Sequence, residues 1–219
     1  MSSIPCIQGI IFAFGGTLAQ IPLDTTQMHK KAAAIAAAFD IALPQAPTVW
    51  AAVDRARDLL ARTDRQTALE FHTRCRFALL ETEMAAAAQT RLLVPVSSLL
   101  QDLADQGLTV GVVTLASLPF VEAVVPQDAF RVAQWLTREA VTPPKPDPAP
   151  YLQFLDAHHL DPARTLAVGT RSLDFQGPHQ LGCRIAQAGS PAAAGADFIV
   201  PAITDLPALV GPKGSCRDS

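Results

Sequence analysis

The stretch "GIIFAFGGTLAQ", residues 9 to 20, is a nearly continuous apolar run that breaks at paired glycines. A run without polar alternation suits a strand covered on both faces, as in a parallel sheet. In such sheets the turn that leaves a strand is a common phosphate site. Yet this turn carries no acid, base or strong nucleophile.

Working outward, short apolar and β-branched runs recur: "CIQGIIFAF" (6 to 14), "LTVGVVT" (108 to 114), "RVAQWLT" (131 to 137), "TLAVG" (165 to 169), "CRIAQA" (183 to 188) and "DFIV" (197 to 200). From the second run onward they alternate with helical patterns, which predicts an α/β fold. The segment between the first two runs is longer than one crossover needs. It reads as helix over 25 to 39, 48 to 63, 66 to 89 and 96 to 106. The first helix has Asp24 and Gln27 placed for a reciprocal cap, with Met28, Ile35 and Phe39 on one side. The fourth ends at Gly107 directly before a strand, as a crossover helix should. The first three therefore predict an inserted helical module over residues 20–91, leaving 1–19 and 92–219 as the α/β core.

The bulk numbers exclude several classes. A formal net charge of -3 gives no basic field, so neither nucleic acid nor an anionic membrane is an expected partner. Charged residues are 17% of the chain, below the roughly 25% of an ordinary soluble domain. Much of the apolar content is alanine, as in "KKAAAIAAAFD", which reads as alanine-rich helix. Cys6, Cys75, Cys183 and Cys216 are scattered, without metal-ligand spacing, and point to a reducing cytoplasm. No run has the length of a membrane span, and no signal-peptide pattern opens the chain, so a soluble, cytoplasmic protein is expected.

Ligands of open parallel sheets bind beyond the carboxyl ends of the strands. The residues there are Ala13 to Leu18, Thr114 to Ser117, Lys145 within "TPPKPDPAP", and Thr170 to Asp174. In their order, "FAFGGTL", "VVTLAS", "KPDPAPYLQFLDAHHLDPARTLAVG" and "TRSLDFQGPHQLGC" resemble the four motifs of the haloacid dehalogenase (HAD) superfamily of phosphatases, mutases and dehalogenases. The resemblance covers nearly the whole chain. It implies a Rossmann-like parallel sheet core with an inserted α-helical cap, as in the phosphoglycolate phosphatase and β-phosphoglucomutase relatives.

The same resemblance implies where the chemistry should sit, and this chain departs from it. The family's first motif is DxDGT, and Ala13 and Gly15 occupy its two acidic positions. The fourth motif, GDxxxD, here reads "GTRSLD", so Thr170 replaces one Mg²⁺-binding carboxylate and Asp174 remains as the residual metal ligand. An alanine methyl cannot form an acyl-phosphate. Loss of the positioned acid/base ordinarily costs a factor of roughly 10² to 10⁴. With Asp174 left as a poor cage for a hard cation, no cofactor is expected.

Gly16, Thr17, Thr114 and Lys145 match the family positions that shape the turn and hold phosphate, and Arg171 adds a cation beside Thr170. Removing three acids while keeping these cations predicts a pocket that takes an anion without metal. The opposing expectation is that Lys145 pairs with Asp174 as a structural salt bridge while Arg171 points to solvent. Thr17 and Thr114 have no adjacent base. Cys6, His158 and His159 fall at the wrong end of the sheet, His29 and His72 in the helical module, and His179 on the helix after the fourth strand. The expected function is a HAD-like pseudoenzyme, a regulatory or partner-binding protein whose partner is another protein, a small phosphorylated ligand or an anion. The alternatives are a hydrolase or isomerase with unconventional chemistry in the same cleft, and a structural or assembly subunit with a vestigial cleft.

Overall fold

The computed structural model describes residues 6–93, 95–126, 130–189 and 195–210. It divides into two units, Met1–Ile21 with Thr90–Ser219, and Pro22–Gln89.

In the first unit, β1 (Gly9–Ala13) is buried at every residue, the outcome its unbroken apolar run demands. After the glycine turn, the two-residue β2 (Ala19–Gln20) pairs antiparallel with β3 (Arg91–Leu92). Two residues carry no readable period, so nothing in the sequence marks this pair. The chain continues through α4 (Val96–Asp105), β4 (Thr109–Val113), α5 (Leu118–Val124), β5 (Gln134–Leu136), α6 (Ala149–Ala157), β6 (Thr165–Gly169), α7 (Ser172–Gln180), β7 (Arg184–Ala188), β8 (Phe198–Val200) and the short α8 (Leu206–Val210).

Six strands form one parallel sheet in the order β5-β4-β1-β6-β7-β8. The chain steps outward from β1 through β4 to β5, then returns beside β1 as β6 and steps outward the other way. This is the doubly wound Rossmann-type order, and the winding reverses between β1 and β6. At such a reversal the loops leave in opposite directions and open a crevice at the carboxyl ends of the strands. Phe154 and Tyr151 of α6 pack with Ile11, Val113 and Leu136, and Phe175 of α7 packs with Ala167 and Ile185. Gly111 in β4 admits Phe154, because a Cβ there would strike its ring.

The second unit holds α1 (Thr25–Ala37), α2 (Val49–Ala61) and α3 (Arg65–Ala87). Each opens on a side-chain cap. Asp24 Oδ1 accepts from Gln27 N at 2.8 Å, Thr48 Oγ1 from Ala51 N at 3.1 Å, and Asp64 Oδ1 from Gln66 N at 2.8 Å. The face that α1 buries is Met28, Ala32 and Ala36, rather than Met28, Ile35 and Phe39. The helix ends before Phe39, whose ring instead meets Phe71 edge-on at 5.6 Å. Ala32 and Ala36, both fully buried, are small enough to seat one helix against another without side-chain entropy loss. No described helix is long and apolar enough to cross a membrane.

Candidate functional site

The crevice between β1 and β6 receives residues from four loops of the first unit. Ala13 ends β1 and is 5% exposed. Gly16 follows with φ of 82°, and a Cβ on it would lie 2.8 Å from Thr170 Oγ1. Glycine is thus required at 16 both by backbone and by the close approach of the β6 loop. Gly15 differs: its φ is not in the left-handed region, and an added Cβ would meet only the Cδ1 end of Ile21, at 3.1 Å. Of the paired glycines, Gly16 alone is required by the turn.

Thr17 is buried, and its hydroxyl finds no hydrogen-bond partner among the described residues. Thr114, just after β4, accepts from Ala116 N at 3.0 Å through its hydroxyl.

Lys145 and Asp174 meet. Lys145 Nζ donates to Asp174 Oδ1 at 2.8 Å and to the Val113 carbonyl at 3.2 Å, and each side chain of the pair is 1% exposed. The other carboxylate oxygen accepts the main-chain N–H groups of Thr170 and Arg171, at 3.3 and 3.1 Å. This places Asp174 as the acid that reaches back over the first turn of α7. A Cβ on Gly169 would stand 2.5 Å from that of Asp174, so the strand's last residue must be glycine for the carboxylate to fit. Burial works against the charge on Asp174, but Lys145, Arg171 and the donated hydrogen bonds outweigh it and hold the carboxyl below its ordinary value. Burial lowers the Lys145 ammonium, against the pull of Asp174. Arg171 is the cation that remains open. Its side chain is 50% exposed, and Nη2 lies 3.6 Å from Asp174 Oδ1.

Three contributors, Arg138, Glu139 and Tyr151, lie outside the residues singled out from sequence. Arg138, two residues past β5, has a side chain only 7% exposed; its Nη1 donates to the Leu115 carbonyl at 2.9 Å and its Nε lies 3.3 Å from Glu139 Oε1. Glu139 Oε2 accepts from Leu118 N at 3.3 Å. Together they tie the loop carrying Thr114 to the end of β5. Tyr151 donates its hydroxyl to the Asp174 carbonyl at 3.3 Å. Inspection of every residue following a strand, not Lys145 alone, would have found Arg138.

The other nucleophile and base candidates lie elsewhere. His72 Nε2 is 3.2 Å from Asp54 Oδ1 in the helical unit, His29 contacts the Thr25 carbonyl, and His158 packs on Phe154. His179 is exposed on α7. Burial pushes the Cys75 thiol up to about 11 and the Cys183 thiol up to about 12, so both are protonated at neutral pH. Cys6 is disulfide-bonded, and the cysteines therefore lend no support to a reducing compartment. Cys216 lies outside the described residues.

The sequence profile of the haloacid dehalogenase-like hydrolases matches residues 10–188. Solved structures share the fold at low identity. A β-phosphoglucomutase from Clostridium difficile aligns with a TM-score of 0.65 at 14% identity, over 91% of this chain and 93% of its own. CbbY from Rhodobacter sphaeroides, in complex with phosphate, gives 0.59 at 21%, over 91% and 96%. A predicted phosphoglycolate phosphatase from Haemophilus somnus gives 0.57 at 22%, over 93% and 97%. No curated protein matches.

The family match overturns the expectation of no cofactor. HAD phosphatases of this kind normally use Mg²⁺, and its loss is not shown here. Among the described residues no three His, Cys, Asp or Glu side chains converge on a metal position. Three are not required. Mg²⁺ takes hard oxygen donors and is often held through one or two carboxylates, with waters and substrate phosphates completing its shell. Asp174 and the Thr170 hydroxyl are oxygen donors of that kind, with the Asp174 oxygens already accepting from Lys145 and from two main-chain N–H groups.

Proposed function

The chain belongs to the haloacid dehalogenase-like hydrolases, and from that premise we propose that it binds a phosphorylated small molecule at the β1–β6 crevice without passing the phosphoryl group to its own side chain. The observation that carries this reading is Ala13. It stands at the end of the central strand, where the resemblance puts the attacking aspartate, and its methyl group has no lone pair to attack phosphorus. In the same crevice, Arg171 offers an open guanidinium, Thr17 has an unpartnered hydroxyl, and Lys145 is set against Asp174. Mg²⁺, when bound, would neutralise part of the phosphate charge. The ligand is held by charge-assisted hydrogen bonds, and the protein acts through what the bound state does to a partner, as a regulatory protein.

A second reading is favoured by the family match and by the phosphatase names among its structural relatives: a phosphatase in which a water or a threonine hydroxyl attacks. Thr17 supplies the observation, since a buried hydroxyl without a partner is costly to keep.

One assay separates them. The protein is incubated with a panel of phosphate monoesters and Mg²⁺, inorganic phosphate release is measured, and phosphate binding is titrated in parallel. The first reading expects binding that weakens in Arg171→Ala, with no release above buffer. Release that vanishes with chelator and in Thr17→Val would overturn it and establish the second.

A further inference from the structure

Three of the seven large hydrophobic side chains that stand exposed among the described residues lie on one helix. On α3, Leu69 is 65%, Phe77 69% and Met84 39% exposed. At about 100° per residue, they fall with Thr73 and the half-buried Leu80 on a single stripe. The opposite face is the one this helix buries, through Ala68, Phe71, Cys75, Leu79 and Ala86. Single exposed hydrophobics are ordinary; a stripe four turns long on one helix is not.

We propose that a second copy of this chain covers the stripe, with the two α3 helices packed antiparallel about a two-fold axis near Phe77. A two-fold interface must be complementary to itself, and this helix is. Leu69 stands eight residues before Phe77 and Met84 seven after, so an antiparallel pair sets Leu69 of one copy beside Met84 of the other, with the two Phe77 rings at the centre. The charges follow the same symmetry. Arg74 and Glu81 lie on the same flank of the stripe, three residues before and four after Phe77. A perpendicular two-fold axis brings like flanks together with their heights reversed, so each Arg74 faces the Glu81 of its neighbour.

Both side chains are exposed, with the Arg74 guanidinium also 5.4 Å from the centre of its own copy's Phe39 ring. Arg74 is 59% exposed beside Glu70, and Glu81 is 78% exposed while touching Lys31 at 3.3 Å. The cross-copy pairs would join these two local pairs into a network. Arg76, alone on the other flank next to the axis, approaches its own copy and is the one like-charged contact.

The test is sedimentation of the full chain across a concentration series, with circular dichroism on each variant. Wild type passes from monomer to dimer as concentration rises. Phe77→Glu raises Kd by about 30-fold or more with an unchanged spectrum, and Met84→Glu acts in the same direction. Glu81→Arg weakens the dimer, and adding Arg74→Glu restores it. Arg76→Gln tightens it. A wild-type protein that stays monomeric throughout overturns the proposal, as does a dimer that survives both Phe77→Glu and Met84→Glu. A monomer that binds phosphatidylcholine vesicles through the stripe also overturns it, and makes lipid the occupant.

Discussion

Two regions of this molecule invert the usual arrangement of apolar inside and charged outside. In the α/β unit, Lys145 and Asp174 are charged and buried; in the helical unit, Leu69, Phe77 and Met84 are apolar and exposed. The first inversion is closed by its own chain. One oxygen of Asp174 takes the lysine and the other takes two main-chain N–H groups, and Lys145 also reaches a carbonyl. The second is left open, because no described residue of the helical unit covers the stripe. A closed inversion points to local architecture and stability, whereas an open one points outward, to association.

The largest expected effect comes from breaking the closed region on one side. Lys145→Met leaves the Asp174 carboxylate buried without its counter-ion and should cost about 3–5 kcal/mol, read from urea unfolding. Replacing both residues, as Lys145→Met with Asp174→Leu, should recover much of that loss, because no buried charge is then left unpaired. A double variant as unstable as the single one would show that the pair's geometry, not its charge balance, is what the fold depends on.

Acid probes the same pair without mutation. The carboxyl of Asp174 is held below its ordinary value in the folded chain, so the unfolded chain binds the proton first as pH falls. The stability this confers is present above the unfolded carboxyl value and is lost as pH drops through the folded one. Unfolding free energy measured from neutral pH down through the carboxylate range should therefore fall less steeply in Asp174→Asn than in wild type. Equal slopes would mean that the carboxyl is not depressed.

How far each region was legible follows from the length of the signal it needs. β1 and β4 carry unbroken apolar runs, α1 to α3 carry caps at Asp24, Thr48 and Asp64, and these elements appear close to where the sequence puts them. β2 and β3 are too short for any period to show. At the site, the post-strand positions were readable because an α/β sheet offers its ligand edge at predictable places. Which of the expected partnerships forms was not. Lys145 and Asp174 are 29 residues apart, and whether they meet depends on the path of the proline-rich loop and on the first turn of α7. Arg138 reads as a surface arginine, since what covers it comes from Leu115 and Glu139 in two different loops. The stripe on α3 shares its helix with a second apolar face, so the apolar residues alone do not say which face is buried.

A middle-sized effect sharpens the closed region further. Gly16→Ala places a Cβ at positive φ and against Thr170 Oγ1, and should cost about 1–2 kcal/mol. Gly15→Ala meets only the tip of Ile21 and should lie within about 0.5 kcal/mol of wild type. Equal costs would mean that the turn, rather than one glycine in it, sets the geometry of the crevice.

The smallest effect on folding belongs to the open region. Phe77 is 69% exposed, so Phe77→Gln gives up little packing, and glutamine is the better helix former. In dilute protein the change in stability should stay within about 0.5 kcal/mol. At high concentration the two chains should part. A dimer that binds only folded protein raises its thermal midpoint by mass action, so the wild-type midpoint climbs with concentration while that of Phe77→Gln stays level. Should Phe77→Gln instead destabilise the dilute monomer as much as Lys145→Met does, the stripe would belong to the fold, and the contrast between a closed and an open inversion would collapse.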